Sequence, residues 1–335
     1  MKLIITGGAG FIGSHTVVEL IEQGHEAVII DDFSNSEPLI VDRIAKITGI
    51  KPKLYQIDCA NKAEIKKVFT VENPDGVIHF AASKAVGESV EKPLLYYKNN
   101  IGSLLTILEV MKEEKVKNIV FSSSCTVYGS PEIIPVNENT PIKEAESPYG
   151  NTKQIGERIL IDFQKANPEF NVSILRYFNP IGAHSTGLIG ELPIGTPNNL
   201  IPFITQTAAG IRKELTVFGD TYNTKDGSCV RDYIHVVDLA LSHIKAIEKL
   251  TKQNGSVDIY NVGTGVGSSV LEVINAFERS SKQKLNYKIG EPRTGDISAI
   301  YADNSKIVNE LKWSPKYDLE DALTHAWKWQ KSLQK

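Results

Sequence analysis

The sequence has few of the features that mark specialised classes of protein. It contains three cysteines, Cys59, Cys125 and Cys229, which lie far apart and form no CxxC pair. A disulfide framework or a structural zinc site is therefore not expected, no metal is predicted, and a reducing compartment is favoured. The net charge of -3, from 37 basic and 40 acidic residues, argues against a non-specific binder of nucleic acid or of an anionic membrane surface.

Long apolar runs are also lacking. No stretch reaches the roughly 18 apolar residues that span a bilayer. Near the start, Leu3-Ile4-Ile5 gives way at once to Thr6-Gly7-Gly8, so the run is shorter than the ~7–15 apolar residues at the centre of a secretion signal. We therefore expect a cytoplasmic protein with no membrane partner.

What the sequence does contain is a regular alternation of short apolar runs and longer amphipathic stretches. This alternation predicts βαβ units and hence an α/β fold with a doubly wound parallel sheet, Rossmann-like, followed by a smaller mixed α/β domain. We place the large domain at residues 1–178 and the smaller one at 179–335, and expect about 231–260 to pack back on the first. The predicted strands are Leu3–Thr6, Glu26–Ile30, Lys53–Ile57, Gly76–Phe80, Asn118–Ser122 and Val172–Arg176, and the predicted helices are Phe11–Gln23, Ala63–Val71, Gly102–Glu114 and Tyr149–Ala166.

A glycine-rich segment lies between the first predicted strand and the first predicted helix. Gly7, Gly10 and Gly13 would allow a tight turn, a close backbone approach to a pyrophosphate and close packing of helix on strand. Asp31 ends the second predicted strand, where a carboxylate can accept hydrogen bonds from an adenosine ribose and repel a 2′-phosphate. Together these features predict a dinucleotide site that prefers NAD to NADP.

A tyrosine and a lysine four residues apart form a second signal. Tyr149 and Lys153 would share one helix face. A free tyrosine has a pKa near ~10, so a general base at neutral pH needs its phenolate stabilised by about 4 kcal/mol. A positive charge ~4 Å away supplies that order of energy at an effective dielectric of ~20. The pair is therefore predicted to be a base and its activator.

Three consecutive serines end the strand predicted at Asn118–Ser122. Ligands of open parallel sheets bind at the carboxyl ends of the strands, and a hydroxyl there can share a proton with a substrate. A hydroxyl of Ser122, Ser123 or Ser124 is therefore predicted to join Tyr149 and Lys153.

Taken together, these motifs resemble the UDP-glucose 4-epimerase family of the extended short-chain dehydrogenases/reductases. The resemblance extends over essentially the whole chain. It rests on the glycine-rich loop, on Asp31, Ser124, Tyr149 and Lys153, and on three further segments: RYFNPIGAH at 176–184, PNNLIPFI at 197–204 and VRDYIHVVDLA at 230–240.

The resemblance implies an isomerase that keeps NAD bound and uses it catalytically. By similarity, Tyr149 would take the proton of the sugar 4-hydroxyl while hydride passes to the nicotinamide. The 4-keto sugar would turn over and receive hydride on its other face. Lys153 would lower the pKa of Tyr149 and hold the nicotinamide ribose, and Ser124 would bridge tyrosine and substrate. The family also implies a homodimer.

The same resemblance implies two sets of contacts. Beside the three glycines, Ser124, Tyr149 and Lys153, the NAD contacts would be Phe11, Ile12, Asp31, Asp32, Phe33, Ser34, Asn35, Ser36, Asp58, Cys59, Phe80, Ala81, Ala82, Ser83, Lys84, Asn99 and Phe178. Beside Ser124 and Tyr149, the substrate contacts would be Lys84, Asn179, Asn199, Leu200, Phe218, Arg231, Tyr233, Arg293, Asp296 and Ile300.

The position that gates the sugar 2-substituent falls at Ile300, and a one-residue slip would place Tyr301 there instead. A tyrosine leaves little room for an N-acetyl group, whereas isoleucine is intermediate in size. UDP-glucose and UDP-galactose are expected as the main substrates, with N-acetylated sugars left undecided.

Three alternatives remain open at this stage. A 4,6-dehydratase of the same superfamily needs an Asp-Glu pair after the active hydroxyl, whereas Ser124 is followed by Cys125-Thr126-Val127. An epimerase of UDP-glucuronate or UDP-pentoses is harder to separate, because contacts to the sugar 6-position are not readable. A non-catalytic NAD-binding scaffold would have no need of an activated phenol.

Overall fold

The computed structural model describes residues 1–293 and 296–334. They form two compact units, each assembled from several chain segments. The first unit consists of Met1–Gly129, Pro141–Tyr177 and Ala240–Tyr260, and the second of the described residues in Ser130–Thr140, Phe178–Leu239 and Asn261–Lys335. The sequence-based division at residue 178 gives two continuous domains, whereas each unit of the structure consists of three chain segments.

A seven-stranded sheet forms the centre of the first unit, in the order β10-β6-β5-β4-β1-β2-β3, with β1 to β6 paired in parallel. Its inner strands are continuous apolar runs because helices cover them, and Leu3, Ile4 and Ile5 of β1 are fully buried. The strands are β1 (Lys2–Thr6), β2 (Glu26–Ile30), β3 (Lys53–Tyr55), β4 (Gly76–His79), β5 (Asn118–Ser124), β6 (Asn171–Tyr177) and β10 (Ser256–Val262).

Amphipathic helices bury their apolar faces in the first unit. Ile65 and Phe69 from one helix, and Leu104 and Ile107 from another, join strand side chains such as Ile4 in one apolar cluster. The helices are α1 (Phe11–Glu22), α2 (Leu39–Thr48), α3 (Lys62–Glu72), α4 (Val86–Glu91), α5 (Pro93–Tyr96), α6 (Gly102–Glu113), α7 (Pro148–Ala166) and α9 (Val236–Leu250), with a π-helical turn at Tyr97–Ile101 and a 3₁₀ turn at Cys125–Tyr128.

The strand order places a change of direction between β1 and β4. From β1 the chain proceeds to β2 and β3 on one side, and from β4 to β5 and β6 on the other. In such sheets ligands bind at the carboxyl ends of the strands where the order reverses. The loops that follow β1 and β4 meet there, since a Cβ added to Gly7 would lie 3.0 Å from the Ala81 nitrogen.

The second unit has a four-stranded sheet in which β9 pairs with β7, β11 and β13, and a two-stranded sheet of β8 and β12. Its apolar cluster includes Ile181, Tyr233, Phe277 and Leu323. The elements are β7 (Asn179–Ile181), β8 (Leu215–Phe218), β9 (Val230–His235), β11 (Gly267–Ser269), β12 (Tyr287–Gly290), β13 (Ala299–Ile300), α8 (Leu200–Ala208), α10 (Val270–Ser281), α11 (Ser305–Leu311) and α12 (Leu319–Ser332).

The predicted fold class is confirmed, and every predicted strand and helix of the first half is present to within a few residues. Helix α2, the short helices α4 and α5, and strand β10 were among the elements missed. Helix α2 follows a polar turn, and its 10 residues give a short periodic signal. Strand β10 joins the sheet from far along the chain, a long-range pairing that local patterns do not encode.

Candidate active site

The loop after β1 requires glycine at two of its positions. Gly7 has φ of +69°, and a Cβ on Gly13 would lie 2.2 Å from the Gly7 carbonyl oxygen. Gly10 is extended and caps α1 without a side-chain hydrogen bond. The first N–H groups of α1 are thus left to a ligand, and the positive end of the helix dipole favours an anion there.

Asp31 fastens this loop to the segment that follows β2. It is buried, and its Oδ2 accepts a hydrogen bond from the Ala9 amide at 2.9 Å. Its Oδ1 accepts from the Phe33 amide at 3.0 Å and from the Ser36 hydroxyl at 2.7 Å. A carboxylate has about four acceptor positions, so about one remains for a ribose hydroxyl.

The neighbouring acidic residues are exposed and bond locally. Asp32 accepts from the Ser34 amide at 2.9 Å and from its hydroxyl at 2.6 Å, and Asp58 accepts from the Ala60 amide at 2.8 Å. Cys59 is buried, and burial, aided by nearby carboxylates, raises the pKa of its thiol. The thiol is therefore neutral, and Cys59 is not a nucleophile.

The segment after β4 lies against the glycine-rich loop. The Thr6 carbonyl accepts from the Phe80 amide at 3.0 Å, and the Thr6 hydroxyl accepts from the Ala81 amide at 3.3 Å. The Lys84 ammonium lies 5.9 Å from the centroid of the Phe11 ring. Of the remaining predicted NAD contacts in this unit, Ile12 lies in the first turn of α1, Asn35 in the turn after β2 and Ala82 after β4.

Two asparagines tie this segment down. The Asn99 amide donates to the Ser83 hydroxyl at 3.0 Å. Asn100, which the sequence analysis missed, accepts from the Ser83 amide at 2.8 Å and donates to the Thr152 hydroxyl at 3.0 Å. Asn100 thereby connects the loop after β4 to α7. Its partners lie 17 and 52 residues away, so no local sequence signal identified it.

The structure brings Ser124, Tyr149 and Lys153 together at the end of β5. The Ser124 hydroxyl hydrogen-bonds to the Tyr149 phenol. Lys153 is buried, and its Nζ donates to the carbonyl oxygen of Ser122 at 2.6 Å. The same ammonium lies 5.8 Å from the centroid of the Tyr149 ring. One helix face and one strand end thus present a phenol, an ammonium and a hydroxyl.

Burial dominates the electrostatics of this group. Desolvation raises the pKa of Tyr149 to about 12, against the opposing effect of the hydrogen bond from Ser124. Desolvation also lowers the pKa of Lys153 to about 8, while the Glu157 carboxylate acts in the opposite direction. The low dielectric that makes both charged forms costly also makes any charge placed beside them more effective.

In the second unit, four predicted substrate contacts share one face of the sheet around β9. Asn179 pairs with Tyr233, and Ile300 pairs with Arg231. Residues opposite one another in a ladder project to the same side, as do residues two apart on a strand. Tyr301, the next residue after β13, therefore projects to the other side, and the register favours Ile300 over Tyr301 as the gate.

Charged residues gather beside this face. The Arg293 guanidinium donates to both carboxylate oxygens of Asp296, at 2.8 and 3.1 Å, and lies 5.0 Å from the centroid of the exposed Phe218 ring. Arg231 lies 3.9 Å from Asp296. Asp296 thus orients two arginines, whose planar forks suit phosphate oxygens.

The last predicted contacts lie at element ends. Asn199 caps the start of α8, where Leu200 is the first helical residue, and its side chain donates to Glu191 at 2.5 Å. Phe178 is buried, and its amide donates to the Val262 carbonyl at 3.3 Å.

Comparison with known proteins decides the family. Two curated UDP-glucose 4-epimerases are similar along their whole length: that of Haemophilus influenzae is 49% identical over 99% of this chain and 98% of its own, and that of Bacillus subtilis is 48% identical over 99% and 97%. The crystal structure of UDP-glucose 4-epimerase from Bifidobacterium longum, in complex with NAD+ and UDP, superposes with a TM-score of 0.96 at 46% identity, covering 99% of this chain and 98% of that one. The chain belongs to the UDP-glucose 4-epimerase family. This confirms the family that the motifs predicted.

A model of the wider family, described as GDP-mannose 4,6 dehydratase, also matches, over residues 4–326. Here the 3₁₀ turn Cys125–Tyr128 follows Ser124 directly and carries no carboxylate. The acid and base of an elimination are therefore not at this position, in agreement with the family assignment.

Neither a metal cluster nor a membrane span is found in the part of the chain that the structure describes. Across residues 1–293 and 296–334, no three His, Cys, Asp or Glu side chains are arranged to hold a metal ion. No described helix has the length and apolarity to cross a membrane.

Sequence reasoning missed a polar network directly behind the site. Ser123 and Arg176 both bond to the buried carboxylate of Glu157, one helical turn beyond Lys153. Glu157 and Arg176 lie 19 residues apart in the sequence. Nothing local distinguishes Glu157 from the solvated charges of an amphipathic helix.

Proposed function

We propose that this protein interconverts UDP-glucose and UDP-galactose by transient oxidation at the sugar 4-position, with NAD held throughout. It is an NAD-dependent isomerase. The observation that carries the proposal is that Ser124, Tyr149 and Lys153 meet at one strand end of the parallel sheet, in a chain 49% identical to a UDP-glucose 4-epimerase.

The loop after β1 fits a dinucleotide. A Cβ on Gly13 would strike the Gly7 carbonyl, so glycine there allows α1 to pack closely on the loop. Gly10, at the start of α1, carries no side chain that would keep a pyrophosphate from the backbone. Asp31 offers its remaining acceptor position to a ribose diol and repels a 2′-phosphate, which favours NAD over NADP. When bound there, NAD supplies the acceptor and then the donor of the hydride from the sugar.

Tyr149 is assigned as the general base and later the general acid at the sugar 4-oxygen. Its bond to the Ser124 hydroxyl gives a path for sharing the proton, which lets the same two groups serve both directions. Lys153 stabilises the phenolate by its charge. Reprotonation after the keto sugar turns over uses the same tyrosine, because oxidation and reduction take place at one carbon.

The chain alone does not supply all the charge that the base requires. The Lys153 ammonium lies 5.8 Å from the ring centroid and donates its hydrogen bond to the Ser122 carbonyl. Burial still raises the pKa of Tyr149 to about 12. A second positive charge beside Tyr149 is needed, and an oxidised nicotinamide ring carries one.

The second unit is proposed to hold the UDP portion. Arg231 and Arg293, oriented by Asp296, suit the diphosphate, and the exposed ring of Phe218 offers a flat apolar surface. Tyr233 and Asn179 share the face of Arg231. These roles, with those of Asn199 and Leu200, follow from the family resemblance.

Ile300 is proposed to set the choice of sugar. It projects to the same face as Arg231 and is smaller than tyrosine. We expect UDP-glucose and UDP-galactose to be preferred. UDP-pentoses are the second candidate, because a family member from Stenotrophomonas maltophila, 45% identical with a TM-score of 0.97 over 100% of this chain and 99% of that one, was crystallised with NAD and formylated UDP-arabinopyranose.

We further propose a homodimer that works in the cytoplasm. Val90, Leu94 and Leu95 on α4 and α5 are 62%, 82% and 48% exposed, an apolar group that a second copy would cover. The three cysteines are free thiols and buried, which suits a reducing compartment.

The deciding experiment is to incubate the purified protein with UDP-galactose, without added NAD, and to measure UDP-glucose. Formation of UDP-glucose to an equilibrium mixture is expected, with NAD released when the protein is denatured. A preparation that contains NAD but converts no UDP-sugar would instead support a binding scaffold.

A further inference from the structure

Helix α7 presents a third functional position in line with Tyr149 and Lys153. Glu157 lies four residues beyond Lys153, so all three side chains follow one helix face. The Ser123 hydroxyl donates to Glu157 Oε1 at 2.5 Å, one residue from the serine that contacts Tyr149. The carbonyl of Ser122 accepts from Lys153 at 2.6 Å. The end of β5 is therefore bonded to each of these three positions on α7.

Arg176 on β6 holds the Glu157 carboxylate with two parallel hydrogen bonds. Its Nε donates to Oε1 at 2.9 Å and its Nη2 donates to Oε2 at 2.6 Å. The side chains are 3% and 4% exposed. The third nitrogen, Nη1, donates to the Tyr128 phenol at 3.1 Å, and the guanidinium lies 5.0 Å from the centroid of that ring. The carboxylate is thus fixed in position and direction.

Such a pair is costly to bury, and apolar residues of the same size would stabilise a fold as well. Its location suggests another role. Glu157 bonds the helix that carries Tyr149 and Lys153 to the strand that carries Ser124, and Arg176 extends the connection to the turn that carries Tyr128. It also places a negative charge one turn from a buried ammonium.

We propose that Glu157 is a positioning residue for the epimerase reaction: clamped by Arg176, it keeps the end of β5 in register with α7 and holds Lys153 as an ammonium. The inference rests on the proposed function.

The groups around Lys153 support this role. Glu157 is the charged group whose effect raises the pKa of Lys153, against desolvation, which lowers it to about 8. His79 on β4 is neutral, because burial lowers its pKa to about 3. Among the described residues, Lys153 also contacts the Ser122 carbonyl and the rings of Phe121 and Tyr149, and Glu157 also contacts Ser123 and Arg176. Tyr177 bonds to the Ser122 hydroxyl, and Tyr128 bonds to Arg176.

The test is the pH dependence of kcat for UDP-galactose, measured on holoprotein. Activity requires Lys153 charged, so the alkaline limb reports the loss of its proton. Glu157→Gln keeps the shape but leaves the Arg176 charge uncompensated beside Lys153. The limb is expected to move down by about one pH unit.

Three further variants separate charge from structure. Glu157→Gln combined with Arg176→Met removes both charges and should return the limb towards its original pH. Glu157→Asp keeps the charge but shortens the reach to Ser123, so kcat should fall several-fold with the limb in place. Ser123→Ala is the matched control that removes one hydrogen bond and no charge, and its limb should not move. Bound NAD, released on denaturation, verifies that each variant folds.

A limb that stays in place in Glu157→Gln, or that moves equally in Ser123→Ala, overturns the inference. If Glu157→Gln does not fold, Glu157→Asp decides, since an aspartate limb displaced by a unit contradicts the electrostatic role. A wild-type protein that converts no UDP-sugar refutes the proposed function instead, so the two failures are distinguishable.

Discussion

At the scale of single residues, the chemistry depends on a phenol in surroundings that oppose its ionisation. Desolvation raises the pKa of Tyr149 to about 12, and Lys153 is bound to a carbonyl, not to the phenol oxygen. Tyr149 is therefore protonated unless further positive charge arrives. For the proposed mechanism we therefore expect the base to ionise only when an oxidised nicotinamide, which carries a positive charge, lies beside it.

Replacing Tyr149 with phenylalanine is expected to lower kcat by about 10²–10⁴-fold, the usual contribution of a positioned acid–base group. The ring and its packing remain, so NAD content should not change. Turnover of UDP-galactose and NAD released on denaturation are the two measurements. A variant as active as the original would refute the assigned role.

His79 predicts a pH dependence of stability. Burial lowers its pKa to about 3 from an ordinary value of 6.5, so between these values the unfolded chain binds a proton that the folded chain does not. Stability due to this residue is full above about 6.5 and is lost as the pH falls towards 3.

On going from pH 7 to 5.5, His79 should therefore cost about 1 kcal/mol of unfolding free energy. His79→Asn removes the titrating ring and should show a correspondingly smaller loss. Urea unfolding of both proteins at the two pH values measures the difference. An identical loss in both would contradict the assignment.

At the scale of elements, the turn from β1 into α1 determines whether a dinucleotide can bind. The helix start has no side-chain cap, and the backbone of Gly7 comes within reach of Gly13. The missing side chains matter for function. Without a capping side chain, the first N–H groups of α1 can bind a phosphate, and without Cβ atoms the loop leaves room for it.

Gly13→Ala is expected to lose bound NAD and to be destabilised, since its Cβ would lie 2.2 Å from a backbone oxygen. Gly102→Ala in α6 is the control, because an added Cβ meets nothing within 4 Å. That variant should keep its NAD and gain about 0.5–1 kcal/mol of stability. NAD content and thermal unfolding distinguish the two.

The register of β9 and β13 predicts selectivity. Ile300→Tyr should lower kcat/KM for UDP-N-acetylglucosamine at least tenfold relative to UDP-glucose, by filling space on the face of Arg231. Tyr301→Phe, on the opposite face, should leave the ratio unchanged. If instead Tyr301 variants change the ratio, the gate is one residue further along.

Local patterns were sufficient for the strands and the longer helices predicted in the first half, for the serines at the end of β5 and for the shared face of Tyr149 and Lys153, because glycine spacing, strand ends and helical i, i+4 spacing are short-range features. They were insufficient for Asn100, Glu157 and Arg176, whose roles exist only once distant strands and helices are packed together. A charged residue on a helix is usually solvated. The sequence around Glu157 does not reveal that it pairs with the guanidinium of Arg176, 19 residues further along the chain.

At the scale of the whole molecule, two units of different character divide the work. The first contains a parallel sheet with a reversal of strand order, and the second contains a small sheet with Arg231 on one face and Arg293 beside it. Each unit draws on non-contiguous segments of chain, so a protein cut at residue 178 would leave both incomplete.

The proposed dimer gives a prediction at this scale. Leu94→Glu, at a side chain that is 82% exposed, is expected to shift the protein from twice the chain mass to the mass of one chain in sedimentation. Val71→Glu on α3, at 71% exposure, places the same charge on another surface and should leave the mass unchanged. Equal behaviour of the two variants would place the interface elsewhere.

The triple attachment of Asp31 has a consequence for anyone who wishes to re-engineer this scaffold for phosphorylated cofactors. Exchanging Asp31 for a small neutral residue would remove the charge that repels a 2′-phosphate. It would also leave the Ala9 amide, the Phe33 amide and the Ser36 hydroxyl without their acceptor. A successful redesign must therefore supply new acceptors for all three donors in the loop after β1 and the segment after β2, before a change in coenzyme preference can be expected.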